Sequence, residues 1–180
     1  MTVPDVKAFH IAVVVHDLDA AVEAYGRLLG PGRWKKREFG TGFRTAYGSG
    51  GGTTWELIEV TGSGDTQFHQ FRDQYGEGIQ HVGFWSRDIR ESVKAALEQG
   101  AELVWTATDE QGHRVAQLQP AASVTDDMLS TLKLGAIVDP GFGGWRIEYI
   151  DSGETGMTFF NDWLKEEYPE IIVTPPPWSA

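Results

Sequence analysis

The sequence predicts an α+β fold in which two βαβββ modules pair into a curved-sheet cup. Three observations carry this reading. The chain repeats itself at an offset of 71 residues, each copy opens as strand then helix, and a second strand pattern recurs at an offset of 92. Repeats are sought first because missing one misreads the whole fold. With His10 placed over His81, Asp17 falls on Asp88, Leu18 on Ile89, Val22 on Val93 and Ala24 on Ala95. The two copies read HIAVVVHDLDAAVEAYGRLLG and HVGFWSRDIRESVKAALEQG. Further on, TWELIE at 54–59 aligns with RIEYID at 146–151.

Each element follows from local pattern. Ile11–Val15 and Val82–Trp85 are short and rich in β-branched or aromatic residues, as buried strands are. Leu18, Ala21, Val22, Tyr25, Leu28 and Leu29 form a 3.6-residue stripe that Gly30 and Pro31 end. Ile89, Val93, Ala96 and Leu97 form the matching stripe, with Gly100 as its stop. An Asp at each start, Asp17 and Asp88, can cap free N–H groups. Trp34–Phe39 and Phe43–Tyr47 fill the first module, with the glycine-rich run 48–52 as a turn. The spacing from His10 to Glu56 is 46 residues and from His81 to Glu148 it is 67, so the second copy carries about 21 extra. That excess falls between Asp109 and Leu134, where a loop or extra helix has room to overhang a pocket. A polar stretch from Gly62 to Gln74 holds a short helix. The expected division is one domain over 1–151, with module one at 7–62 and module two at 75–151. A C-terminal helix (Met157–Glu167) and a Pro-rich tail (Pro175–Trp178) occupy 152–180.

Composition bounds the function. The chain has 180 residues, 41% hydrophobic and 23% charged, a globular balance. A net charge of −11 argues against nucleic acid and anionic membrane as partners. The longest early apolar run, Ile11–Val15, is too short for a membrane span or a signal-peptide core. There is no cysteine, which excludes disulfides, thiolate catalysis and Cys-ligated metals. Any metal is therefore held by His, Asp and Glu. A cytoplasmic location is the expectation.

Strand side chains alternate faces. Phe9, Ile11, Val13 and Val15 are expected beneath the helix, with His10, Ala12, Val14 and His16 on the other face. Glu56, His81 and Glu148 take the same away-facing parity in their strands. Two such curved sheets facing each other would bring His10, Glu56, His81 and Glu148 together. Two imidazoles and two carboxylates balance a 2+ ion and suit Zn, Ni, Co or Mn. Such an ion polarises a bound carbonyl, and a nearby carboxylate can take the adjacent proton. Singly, each of the four reads more simply as a hydrogen-bonded or solvated residue; matched position and matched face favour the metal. Glu59 and Asp151 lie on the opposite face and read as solvated. His16, by parity, is a candidate substrate contact, and Trp85 a candidate pocket wall. His69 and His113 read as surface loop residues. Arg146 shares the face of Glu148, but its long side chain can swing out to solvent.

At these residues the sequence resembles the vicinal oxygen chelate superfamily, which includes glyoxalase I, methylmalonyl-CoA epimerase, fosfomycin and bleomycin resistance proteins and extradiol dioxygenases. The resemblance covers roughly Phe9 to Asp151. It rests on FHIAVVVHDLDAAVEAYGRLLG, TTWELIEV, QHVGFWSRDI and DPGFGGWRIEYID. It implies metal ligands at the first and last strands of each module, here His10, Glu56, His81 and Glu148. This set is most similar to glyoxalase I and the epimerases. It thereby implies a metal-dependent lyase or isomerase that moves a proton beside a metal-chelated carbonyl of a small molecule, with Glu148 as the base. A non-catalytic small-molecule binder and an Fe(II) ring-cleaving dioxygenase are the alternatives on the same fold. The epimerase branch also implies a Glu near the third strand of module one, and none in Glu38–Arg44 matches it. Pairing between chains, as a homodimer, is a further implication.

Overall fold

The structure, a computed structural model, describes residues 5–30, 33–40, 42–107 and 123–153. His113, the C-terminal helix and the Pro-rich tail lie outside the described residues. The first half runs β1 (Val6–Val15), α1 (Leu18–Leu29), β2 (Trp34–Phe39), β3 (Phe43–Gly50) and β4 (Thr53–Val60). Helix α2 (Gln67–Tyr75) links it to β5 (Gly78–Ser86), α3 (Ile89–Glu98), β6 (Glu102–Ala107), α4 (Asp126–Ser130), β7 (Gly135–Asp139) and β8 (Arg146–Asp151). This is the doubled βαβββ pattern.

The two halves do not form separate facing sheets, as the sequence suggested. They share one curved eight-stranded sheet in the order β2-β3-β4-β1-β5-β8-β7-β6. Within each half the first strand pairs parallel with the last, β1 with β4 and β5 with β8. The halves join where β1 pairs antiparallel with β5. Pairing there satisfies backbone groups that would otherwise form two exposed edges. It also makes both strands longer than their apolar runs, because Val6–Ala8 find partners in Phe84–Ser86.

Helices α1 and α3 start where their caps dictate. The Asp17 carboxylate accepts from the Ala20 amide at 3.0 Å, and that of Asp88 from the Glu91 amide at 3.1 Å. The α1 stripe of Leu18, Ala21, Val22 and Tyr25 packs on Ile11, Val13, Val15, Ala46 and Leu57. Ile89 and Val93 of α3 pack on Leu103, Ala136, Val138 and Tyr149. The described part of the insertion also lies on that face. Leu129 and Leu132 join the α3 cluster, and Arg90 donates to the Ser130 carbonyl at 2.9 Å. Helix α4 therefore does not overhang the opposite face. Helix α2 does: Phe68 and Phe71 cover Ala12, Val14 and Ile58 there.

The glycine-rich run after Tyr47 is less of a turn than its composition suggests. β3 continues through Gly50, and Gly51 and Gly52 alone turn the chain, both at positive φ. Gly48 stays in the strand because Trp34 of β2 lies against it. A Cβ there would come 2.6 Å from the indole ring.

Leu57 is fully buried under α1. Leu57→Ala is expected to cost about 2–5 kcal/mol, read by equilibrium denaturation, because the packed site cannot collapse around the cavity.

Candidate metal centre

Register places the polar residues in two adjacent rows across the sheet. One row runs Tyr47, Glu56, Ala12, His81, Arg146. The other runs Thr54, His10, Gly83, Glu148, Ile137. In each row the central pair is one histidine and one small residue, so each ring has space above its cross-strand neighbour. The fit is tightest at Gly83, where a Cβ would lie 2.3 Å from Cε1 of His10 and 2.4 Å from its Nδ1.

Two β-bulges flank these rows. Phe9 is the extra residue between the Ala8–Phe84 and His10–Gly83 pairs, and Gln80 between the Ala12–His81 and Val13–Ile79 pairs. A bulge adds twist and re-aims nearby side chains. Phe9 consequently does not join the cluster under α1, where simple alternation would put it. Its ring packs 4.4 Å from that of Trp85 and edge-on to His10 at 5.0 Å.

All four matched residues converge. Nε2 of His10 lies 3.0 Å from Nε2 of His81. Oε2 of Glu148 lies 3.3 Å from the first and 3.2 Å from the second. Oε2 of Glu56 lies 3.5 Å and 3.6 Å from the same two atoms. Ligands bound at right angles with bonds of about 2.1 Å stand about 3 Å apart, so these spacings suit a shared divalent ion. His10, Glu56 and His81 are all buried, and their ligand atoms lie within 4.8 Å of one another.

Electrostatics agree with that use. Burial lowers the His81 pKa to about 4, with Arg146 adding to the effect and Glu56 opposing it. The ring thus stays neutral near neutral pH with a lone pair to offer. Burial raises the pKa of Glu148, partly offset by His10. Two carboxyl groups share this poorly solvated site, and a 2+ charge there would favour their ionised form.

Sequence reasoning missed Tyr47. Its phenol is buried and hydrogen-bonded to Glu56, and its ring meets His10 edge-on at 5.8 Å. Burial, then the charges of Glu56 and Glu148, hold its pKa well above the usual value. It is therefore a donor and not a base. Tyr47 is the direct cross-strand partner of Glu56, a register that no local pattern in the sequence gives.

Other expected site residues are placed differently. His16 follows the end of β1, is exposed, and its amide donates to Glu77 at 2.6 Å. Six residues of strand separate it from His10, roughly 20 Å, so parity alone misled. Trp85 is buried and reaches the centre's surroundings through Phe9. His69 is no surface loop residue. It is buried in α2, and its Nδ1 lies 2.8 Å from the Thr66 hydroxyl in a capping box. Arg146 does not swing to solvent. It is buried, 3.5 Å from both an Asp139 carboxylate oxygen and the Gln67 carbonyl. Glu59 bonds Arg44 at 2.7 Å and the Leu18 amide at 2.6 Å, away from the centre.

A paired βαβββ sheet with a buried His/Glu/His group at its seam defines a class of small-molecule-handling proteins, many of them metal enzymes. Residues 9–116 match the Glyoxalase/Bleomycin resistance protein/Dioxygenase superfamily, and the chain belongs to it. Solved structures share the fold. A hypothetical protein from Bacillus halodurans C-125 aligns with TM-score 0.58 at 18% identity, covering 83% of this chain and 96% of that one. Methylmalonyl-CoA epimerase from Mycobacterium tuberculosis aligns with TM-score 0.53 at 22% identity, covering 80% and 86%. A variant 4-hydroxymandelate synthase from Streptomyces coelicolor aligns with TM-score 0.54 at 21% identity, covering 81% of this chain and 48% of that enzyme. No curated protein matches the chain. Among the described residues, no helix is long and apolar enough to cross a membrane.

Gly83→Ala is expected to displace the His10 ring and weaken Co²⁺ binding, while Gly40→Ala, with no positive φ and open space around its Cβ, leaves binding unchanged. Titration with Co²⁺ against a competing chelator reads the difference; equal affinities would show that binding does not depend on the seat that Gly83 gives the His10 ring.

Proposed function

We propose that this protein is a metal-dependent isomerase or lyase that moves a proton next to a carbonyl of a small molecule. The observation that carries the reading is the convergence of four donors: each carboxylate lies within 3.6 Å of both imidazole Nε2 atoms. His10, Glu56, His81 and Glu148 would hold the ion. When bound, a divalent ion supplies Lewis acidity, which makes the C–H beside a chelated carbonyl more acidic.

The chain's own residues supply the rest. His10 and His81 bind as neutral ligands. Tyr47 donates to Glu56 and keeps that carboxylate in place. Glu148 is the base: its carboxylate stands 3.3 Å and 3.2 Å from the two imidazole Nε2 atoms, where it can reach a proton beside a chelated carbonyl. Phe9 and Trp85 give an aromatic wall beside His10 that suits an apolar part of the substrate.

One observation favours a second reading. His10, Glu56 and His81 together are two histidines and a carboxylate, the ligand pattern of non-haem Fe(II) oxygenases. Elemental analysis of the purified protein separates the two, with Zn, Ni, Co or Mn supporting the first and Fe the second. Metal-free protein that takes up no ion supports a non-catalytic binder.

His10→Ala and His81→Ala are each expected to lose bound metal while remaining folded; full occupancy in a folded double variant overturns the site. Glu148→Gln is expected to retain metal but to lose solvent-deuterium exchange at the substrate α-carbon by roughly 10²–10⁴-fold. Glu56→Gln should lose far less exchange once metal is saturated. Equal exchange in the two variants would make Glu148 a ligand only.

A further inference from the structure

We propose that Gln80 is a positioning residue for the centre: its carboxamide oxygen accepts from Nδ1–H of His81 and so fixes the tautomer that turns a bare Nε2 lone pair toward the other three groups. The inference rests on the metal reading above for its purpose, but not for its geometry.

The geometry comes from the bulge. In an unbroken strand, adjacent side chains leave on opposite faces, and Gln80 would be carried away from the His81 ring. Gln80 is instead the extra residue of β5, and its Oε1 is hydrogen-bonded to Nδ1 of His81. The side chain is fully buried, and its amide nitrogen has no partner among the described residues. The bond to His81 is thus the interaction that orients the carboxamide. A buried glutamine with half its hydrogen-bonding capacity unmet costs stability, and such groups persist where they serve another purpose.

The chemistry of the ring completes the argument. A neutral imidazole has one N–H, and the partner of one nitrogen decides which nitrogen carries it. A carboxamide oxygen at Nδ1 puts the proton there and leaves Nε2 bare. Across the centre, Nε2 of His10 faces Nε2 of His81 at 3.0 Å, so a bare Nε2 on His81 can accept from His10 in the metal-free protein and can bind an ion in place of that bond. Nδ1 of His10 is buried with no hydrogen-bond partner among the described residues. The two rings are therefore placed by different devices, His10 by packing over Gly83 and His81 by a hydrogen bond.

The test uses metal-free, ¹⁵N-labelled full-length protein and two variants of similar volume. Gln80→Glu keeps an acceptor beside Nδ1, and Gln80→Met removes it. Long-range ¹H–¹⁵N correlation spectra of the imidazoles report the tautomer. The expected result is protonated Nδ1 and bare Nε2 on His81 in the wild type and in Gln80→Glu, with the other tautomer appearing in Gln80→Met. Co²⁺ titration against a chelator should then show affinity reduced about 10–100-fold in Gln80→Met and restored to wild-type level or above in Gln80→Glu. A proton on Nε2 of His81 in the wild type overturns the proposal. So does a Gln80→Met protein with unchanged tautomer and unchanged Co²⁺ affinity. If Gln80→Met does not fold, the wild-type and Gln80→Glu spectra still decide. A wild-type protein that takes up no Co²⁺ sinks the metal reading, while the tautomer spectra, recorded without metal, judge Gln80 separately.

Discussion

The antiparallel seam between β1 and β5 is the constraint on which the site depends. Each half brings one histidine to that seam, and neither half alone assembles the four donors. Register across the seam sets His10 opposite Gly83 and His81 opposite Ala12, so each imidazole lies beside a residue too small to displace it. A slip of one residue would turn every side chain to the other face. The two bulges hold register while letting Phe9 and Gln80 depart from simple alternation. The seam also ends the two edges that would otherwise be open, so the same backbone hydrogen bonds stabilise the fold and define the centre.

Assembling four polar groups there has a cost. Two carboxylates and two imidazoles, each largely withdrawn from water, lose hydration that they cannot recover from one another. The perturbed groups record it: His81 resists protonation and Glu148 resists ionisation, both chiefly through burial. A divalent ion would offset that cost, which ties the chemistry of the site to its stability. The surrounding bonds offset part of that cost. Tyr47 donates to Glu56, Gln80 bonds His81, and Arg146 stays near Asp139 and the Gln67 carbonyl.

The two faces of the sheet do different work. Helices α1, α3 and α4 lie on one face over aliphatic clusters, and strand residues of the opposite parity form the polar cluster. Helix α2 is the exception, since Phe68 and Phe71 cover the distal part of the polar face and Phe68 stacks near His81 at 6.5 Å. It narrows the cup from one side. It also buries His69, a histidine that belongs to a helix cap.

The sequence by itself determined the doubled βαβββ pattern, both helix caps and the parity of His10, Glu56, His81 and Glu148. Those features are local or periodic: an Asp before a 3.6-residue stripe, alternation along a strand, the same spacing twice. What only the tertiary structure decided was how the copies meet. One continuous sheet, in place of two facing sheets, follows from edge pairing between β1 and β5, which no local pattern encodes. Bulges insert a residue without leaving a sequence mark, so Phe9 was assigned to the helix side and Gln80 was not singled out at all. Parity also says nothing about distance along a strand, which is why His16 shares a face with His10 yet stands far from it. Tyr47 came to the centre through cross-strand register, and Arg146 and His69 were buried by α2, a helix whose docking depends on the continuous curved sheet beneath it.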